Sequence, residues 1–134
     1  MGTRRTWQAA ALLAVLLNEP DRGALIDATQ GHGLVAAPSL PWEVGNALVA
    51  GVRRRRTSPA ALLEAWTSYR EVPVRLAEIV VERGLEIAAQ FHVCAYDAYV
   101  LEAARAARLP LLTLDRGLAR VARRLGLKLM EVQP

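Results

Sequence analysis

The chain has 134 residues, 53% of them apolar and 22% charged, with a single cysteine. That length holds one compact core spanning 1–134, and the apolar fraction excludes a disordered or fibrous chain. Cys94 alone closes no intrachain disulfide, so packing must hold the fold, in a compartment that need not be oxidising. Seventeen basic residues against thirteen acidic ones leave a charge of +4, and every basic residue except Lys128 is arginine. An arginine-biased surplus permits anionic partners without demonstrating one.

At the N-terminus, Arg4 and Arg5 precede an apolar run over 9–17 that has the outline of a secretory leader. The run falls well short of the roughly 20 residues that span a bilayer. It ends in Asn18, Glu19 and Pro20 instead of a small-residue cleavage site. A buried first helix over 9–17 is the better reading, and with it a cytoplasmic protein with no membrane partner.

A short helix fits 21–29, stopped by Gly31 and Gly33, and 34–37 reads as a buried strand closing at Pro38. Pro41 suits the first turn of a helix over 40–55. Ser58 and Pro59 open the next helix as cap and first residue, with Leu62, Leu63, Trp66 and Tyr69 at helical spacing. A short strand at 72–74 precedes helices over 76–90 and 96–107, the second striped by Tyr96, Val100, Leu101 and Ala104. The clearest strand is 111–114, apolar on both faces as a central parallel strand must be. A helix over 116–125 follows, with Leu118, Val121, Ala122 and Leu125 on one side and arginines on the other, ended by Gly126. A final strand fits 127–132. Short apolar runs alternating with helical stretches predict an α/β fold, a three-layer α/β/α sandwich around a small parallel sheet.

Open parallel sheets collect ligands beyond the carboxyl ends of their strands. Three acids stand there. Asp115 directly follows the strand at 111–114, Glu43 lies in the first turn of the helix after 34–37, and Asp97 opens the helix at 96. Each has a structural explanation, as a helix cap or a charge suited to the helix dipole. Ser39 stands four residues before Glu43, one more than a capping box wants. Together, three acids at one end of a sheet would repel by up to about 4 kcal/mol per pair at 4 Å. A divalent cation or a retained proton relieves that repulsion. Oxygen-only ligands favour Mg2+ or Mn2+ over zinc. His32 and His92 have no zinc-ligand spacing and read as surface or helix-end residues.

The segments PSLPWEVGNAL (38–48), YDAYVLEAARAA (96–107) and LLTLDRGLARVARRLG (111–126) resemble the signature stretches of PIN-domain proteins, in order and spacing. They are most similar to the VapC toxins of bacterial and archaeal toxin–antitoxin pairs. The resemblance implies metal-dependent cleavage of RNA by a ring of four acids. It maps the second acid onto Glu43, the third onto Asp97 and the fourth onto Asp115, with Thr113 as the usual supporting hydroxyl. It makes Asp97 and Asp115 the direct metal ligands with Glu43 close by. The first acid departs from the pattern. Counting back from Asn18 puts Gln8 in its place and Ala10 where the family has serine, behind a polar, arginine-bearing strand at 3–7. An amide oxygen can still ligate a hard cation, but with one negative charge fewer metal binding should weaken.

The same resemblance implies a homodimer and a cognate antitoxin covering the acidic cleft with a basic side chain. Arg116, beside Asp115, is the arginine nearest the expected cleft, able to hold RNA backbone or to pair with that acid. Arg53 heads the run 53–56, whose four residues point around a helix end and read first as a solvated terminus. Trp42, Trp66, Tyr69 and Tyr99 fall among apolar neighbours and read as core or dimer contacts. Two other readings stand against a nuclease. One is a catalytically silent PIN-fold binding protein, motivated by Gln8 and Ala10. The other, a receiver-like domain, wants an early acidic pair and a lysine after a late strand, and Lys128 is the only lysine.

Overall fold

The computed structural model of the chain describes residues 3–7, 23, 27 and 32–130. Four parallel strands form one sheet: β1 (Thr3–Trp7), β2 (His32–Ala36), β3 (Val74–Leu76) and β4 (Leu111–Leu112), in the order β3-β2-β1-β4. β1 runs beside β2 with Arg5 opposite Leu34, and beside β4 with Trp7 opposite Leu112. β2 runs beside β3 with Val35 opposite Arg75. The helices among the described residues are α1 (Leu40–Arg53), α2 (Pro59–Glu71), α3 (Val81–Phe91), α4 (Ala95–Ala107) and α5 (Arg116–Arg124).

Successive residues of a strand face opposite sides of its sheet, and β4 shows what that does here. Leu112 packs with Leu40, Val44, Leu48, Ala65 and Tyr69, so α1 and α2 cover one face. Leu111 packs with Ile87, Val100, Leu101, Ala104, Leu118 and Ala122, so α3, α4 and α5 cover the other. The result is the expected three-layer sandwich. Both leucines are fully buried. Truncating either to alanine would cost about 2–5 kcal/mol, cavity included. α3 and α4 approach closely at Gly84, where an added methyl would lie 2.8 Å from Tyr99 Cδ1.

The helix starts are built as the residues dictate. Ser58 Oγ accepts the Ala61 N–H at 3.1 Å, with Pro59 as first residue of α2. α5 buries Leu118 and Ala122 and leaves Arg116, Arg120, Arg123 and Arg124 exposed. His92 closes α3 in the left-handed region at φ 56°, an exposed helix-end residue as expected.

Several boundaries move. The strand expected at 72–74 is Val74–Leu76, and the following helix starts at Val81, not at 76. The reason is the ladder: Ala77 N–H donates to Ala36 C=O at 2.8 Å, holding this stretch extended beside β2. β4 ends at Leu112, short of 114, because the next residues turn toward α5. α1 stops at Arg53, ahead of Arg55 at φ 57°. α5 ends at Arg124, one residue before the expected 125. Of the final strand expected over 127–132, the described residues form a parallel bridge between Leu129 and Leu111, and residues 131–132 lie outside them. Tyr96, expected on the apolar stripe of its helix, is exposed, and Trp42, read as a core or dimer contact, is 71% exposed and so is no core residue. The helix expected over 9–17 lies outside the described residues. Gly23 and Asp27 are helical, in keeping with the one expected over 21–29.

Candidate active site

In a parallel sheet every strand points its carboxyl end the same way, and each crossover helix returns from that end. α1 and α5 therefore begin at the end where β2 and β4 finish. α4 also begins there, because it must run back to the start of β4. The three acids sit on these three helix starts.

Glu43 is one turn into α1 and half-buried. Ser39 precedes α1, but its hydroxyl does not cap the helix. It donates instead to Glu43 Oε2 at 2.6 Å, while the Ser39 carbonyl accepts the Trp42 and Glu43 N–H groups. Burial pushes the Glu43 carboxyl above its ordinary range, the Ser39 hydrogen bond pulls it back, and the Asp97 charge pushes it up again. Glu43 and Asp97 thus feel one another directly across two helix starts.

Asp97 lies in the first turn of α4, half-buried. The residue before α4 is Cys94, whose Sγ accepts the Asp97 N–H at 3.4 Å. The single thiol of the chain therefore fixes the backbone that carries Asp97. Asp115 is the cap of α5: its Oδ1 accepts the Leu118 N–H at 3.0 Å. Thr113 Oγ1 accepts the Asp115 N–H at 3.1 Å, tightening the turn from β4 into α5. The hydroxyl expected to support Asp115 does so through the backbone.

The arrangement differs from the expected three-acid pocket. Among the described residues, no group of three His, Cys, Asp or Glu side chains stands close enough to hold a metal ion. Glu43 feels the charge of Asp97, while Asp115 has its own helix N-terminus and its Oδ1 is turned onto Leu118. Gln8 and Ala10 lie outside the described residues. Arg116, the first residue of α5, is exposed beside Asp115, and Arg53 is exposed at the far end of α1.

The PIN domain family matches residues 9–124 of the chain. The chain belongs to the PIN domain family. Its fold is similar to that of PAE2754 from Pyrobaculum aerophilum, with a TM-score of 0.65 at 24% identity over 90% of this chain and 87% of that one. It is also similar to a chain of a toxin–antitoxin complex from Klebsiella pneumoniae, with a TM-score of 0.54 at 14% identity over 83% of this chain and 86% of that one. At these identities the likeness is one of fold. No curated protein matches the chain.

PIN domains generally act as nucleases with divalent metal ions, so the fit of the acids to such an ion can be tested on their own chemistry. Glu43 and Asp97 offer oxygen donors only, and the Asp97 charge disfavours that of Glu43, which is the condition a hard cation relieves. The donor set fits. Two residues of this PIN domain carried no functional signal in the sequence. Ser39 supports Glu43, and an i, i+4 spacing into a helix start was the available clue. Glu102 is fully buried in α4 and held by Arg105, a pairing that i, i+3 spacing on the helix could have indicated.

Proposed function

We propose that the protein is a metal-dependent ribonuclease of the toxin type, using Mg2+ or Mn2+ to hydrolyse RNA phosphodiesters in the cytoplasm. The observation that carries this reading is the half-buried Glu43 raised by burial and by Asp97, inside a PIN fold. A half-buried carboxyl raised by burial and by a second acid, at the end of a parallel sheet where ligands gather, is what such chemistry needs.

Asp97 and Glu43 would hold the cation, with Asp115 completing the set and Thr113 keeping its turn in place. Such an ion supplies Lewis-acid stabilisation of phosphate charge and lowers the pKa of water. Glu43 holds a proton more readily than an ordinary glutamate and releases it when positive charge arrives, so metal uptake should strengthen as pH rises. The Ser39 hydroxyl keeps Oε2 of Glu43 in one orientation. Arg116 can bind a phosphate oxygen beside Asp115, while Arg53 lies a full helix away from Glu43 and is the weaker contact. A cognate antitoxin goes with this reading, as the likeness to a chain in a toxin–antitoxin complex favours, and a homodimer is part of the same proposal.

Purified protein incubated with structured RNA and Mn2+ should cleave it, and an Asp97→Asn/Asp115→Asn preparation should not. Equal cutting by both, or none by either, removes the enzyme. The second reading, a catalytically silent PIN-fold binding protein, is favoured by Gln8 at the place of the first acid. Gln8→Asp separates the two: Mn2+ affinity should rise in that variant if position 8 belongs to the site.

A further inference from the structure

Three arginines follow Asp115 along α5 at positions 116, 120 and 123. A helix repeats its faces at i+4 and i+7, so Arg116, Arg120 and Arg123 share one side. With Ala119 between them, they line an open hollow of about 570 Å3. All three are exposed, and among the described residues the one ion pair is Glu102–Arg105, elsewhere on α4. Their charge is therefore uncancelled by those residues. The row is also joined to the acid end of the sheet. A methyl placed on Gly117 would lie 3.2 Å from Asp115 Oδ1 and 4.0 Å from Arg120 Nη2, so Arg120 leans back over the first turn toward Asp115.

We propose that Arg116, Arg120 and Arg123 form a track for the sugar-phosphate backbone of single-stranded RNA, leading away from Asp115 along α5. The direction of the track rests on the nuclease reading above; the binding does not. The rise of the helix sets successive arginines about 6 Å and 4.5 Å apart along its axis. That is the order of spacing between neighbouring phosphates on an extended strand. Guanidinium forks suit phosphate oxygens, and no aromatic side chain among the described residues lines the hollow, so the track reads backbone and not bases. It also answers a problem the acids create. Glu43 and Asp97 repel a polyanion, and a neighbouring row of positive charge offsets that repulsion.

The test is equilibrium binding of a uridine hexanucleotide in EDTA, followed across salt concentration. The comparison is Arg116→Gln/Arg120→Gln/Arg123→Gln against a control of equal charge loss, Arg70→Gln/Arg75→Gln/Arg83→Gln. Each backbone contact on a single strand contributes about 0.7 to the slope of log affinity against log salt. The row variant should flatten the slope by about 2, weaken binding about tenfold or more at low salt, and leave the melting temperature unchanged. Arg120→Gln alone should flatten it by about 0.7. The control should keep the parental slope.

Equal losses in both triple variants would reduce the row to net charge and overturn the track. So would absence of hexanucleotide binding by the parent. Hexaglutamate competing as well as the hexanucleotide at matched salt would make the ligand an acidic polypeptide, which also overturns it. If Mn2+-dependent cleavage fails while the row variant flattens the slope, the nuclease reading falls and the track stands. If cleavage holds and the slope does not move, the track alone falls.

Discussion

Glu43 and Glu102 both have carboxylates withdrawn from water, and the fold treats them oppositely. Glu102 is fully buried in α4, and Arg105 meets both of its oxygens, Nε and Nη2 each at 2.7 Å. Glu43 is half-buried, receives one hydroxyl from Ser39, and faces a second acid, Asp97. The first charge is balanced inside the chain. The second stands at the end of the sheet where helices begin, raised by burial and by the charge of another acid. A carboxylate that carries its own cation is stabilised as a charge inside the fold, while one set beside another acid is destabilised as a charge.

The strongest way to break this contrast is to remove the internal cation. Arg105→Leu leaves Glu102 buried without its partner, and unfolding free energy at pH 7 should fall by about 3 kcal/mol. The double variant Glu102→Leu/Arg105→Leu should recover most of that loss, because a well-packed apolar pair often equals a buried ion pair. Urea denaturation of the parent, the single and the double variant measures both. A cost under about 1 kcal/mol for Arg105→Leu would show that Glu102 needs no internal cation, and the two glutamates would no longer differ in kind.

A smaller effect is expected at Ser39. Ser39→Ala removes the hydroxyl from Glu43 Oε2, a bond to a charged group worth about 2 kcal/mol. The loss should be largest at neutral pH, where the carboxylate is ionised, and should shrink in acid. Because that bond draws Glu43 down, its removal should push the carboxyl further up. NMR titration of Glu43 in parent and variant reads the direction. An unchanged midpoint would mean that the hydroxyl does nothing to the charge.

The contrast between the two glutamates explains which parts of the molecule could be read from the sequence. The β4–α5 unit was legible because LLTLD packs apolar faces, a turn and a cap into five consecutive residues. α2 was legible because Ser58 and Pro59 mark its start locally. β3 was displaced because its place depends on pairing with β2, a partner distant in sequence. The exposure of Trp42 was hidden for a similar reason, since periodicity gives the faces of α1 but not which face meets the sheet. Glu102 stands between Leu101 and Ala103 with no local mark of burial. Its burial depends on how α4 sits against the sheet, and a single helix does not carry that. The acids were legible as positions at helix starts. That Asp115 would turn its Oδ1 to cap α5 while Glu43 took the Ser39 hydroxyl was a matter of side-chain competition, settled only in three dimensions.

The smallest expected effect sharpens the comparison most, because it asks whether Glu43 stores destabilising charge. Its carboxyl lies above the ordinary value of 4.5 in the folded chain. Between the unfolded and folded values, the native state holds a proton that the unfolded chain has lost. Stability must therefore fall as pH rises through that window, and the whole penalty is present above it. Glu43→Gln keeps an acceptor for the Ser39 hydroxyl and removes the charge. It should melt above the parent at neutral pH and match it below about pH 4.5, where both side chains are neutral. The side chain keeps some contact with water, so this difference should be smaller than either loss above. Mn2+ should then raise the melting temperature of the parent more than that of Glu43→Gln, since a ligand stabilises only the state that binds it. Were the parent the more stable at neutral pH without a cation, Glu43 would be compensated as fully as Glu102, and its charge would give an ion nothing to relieve.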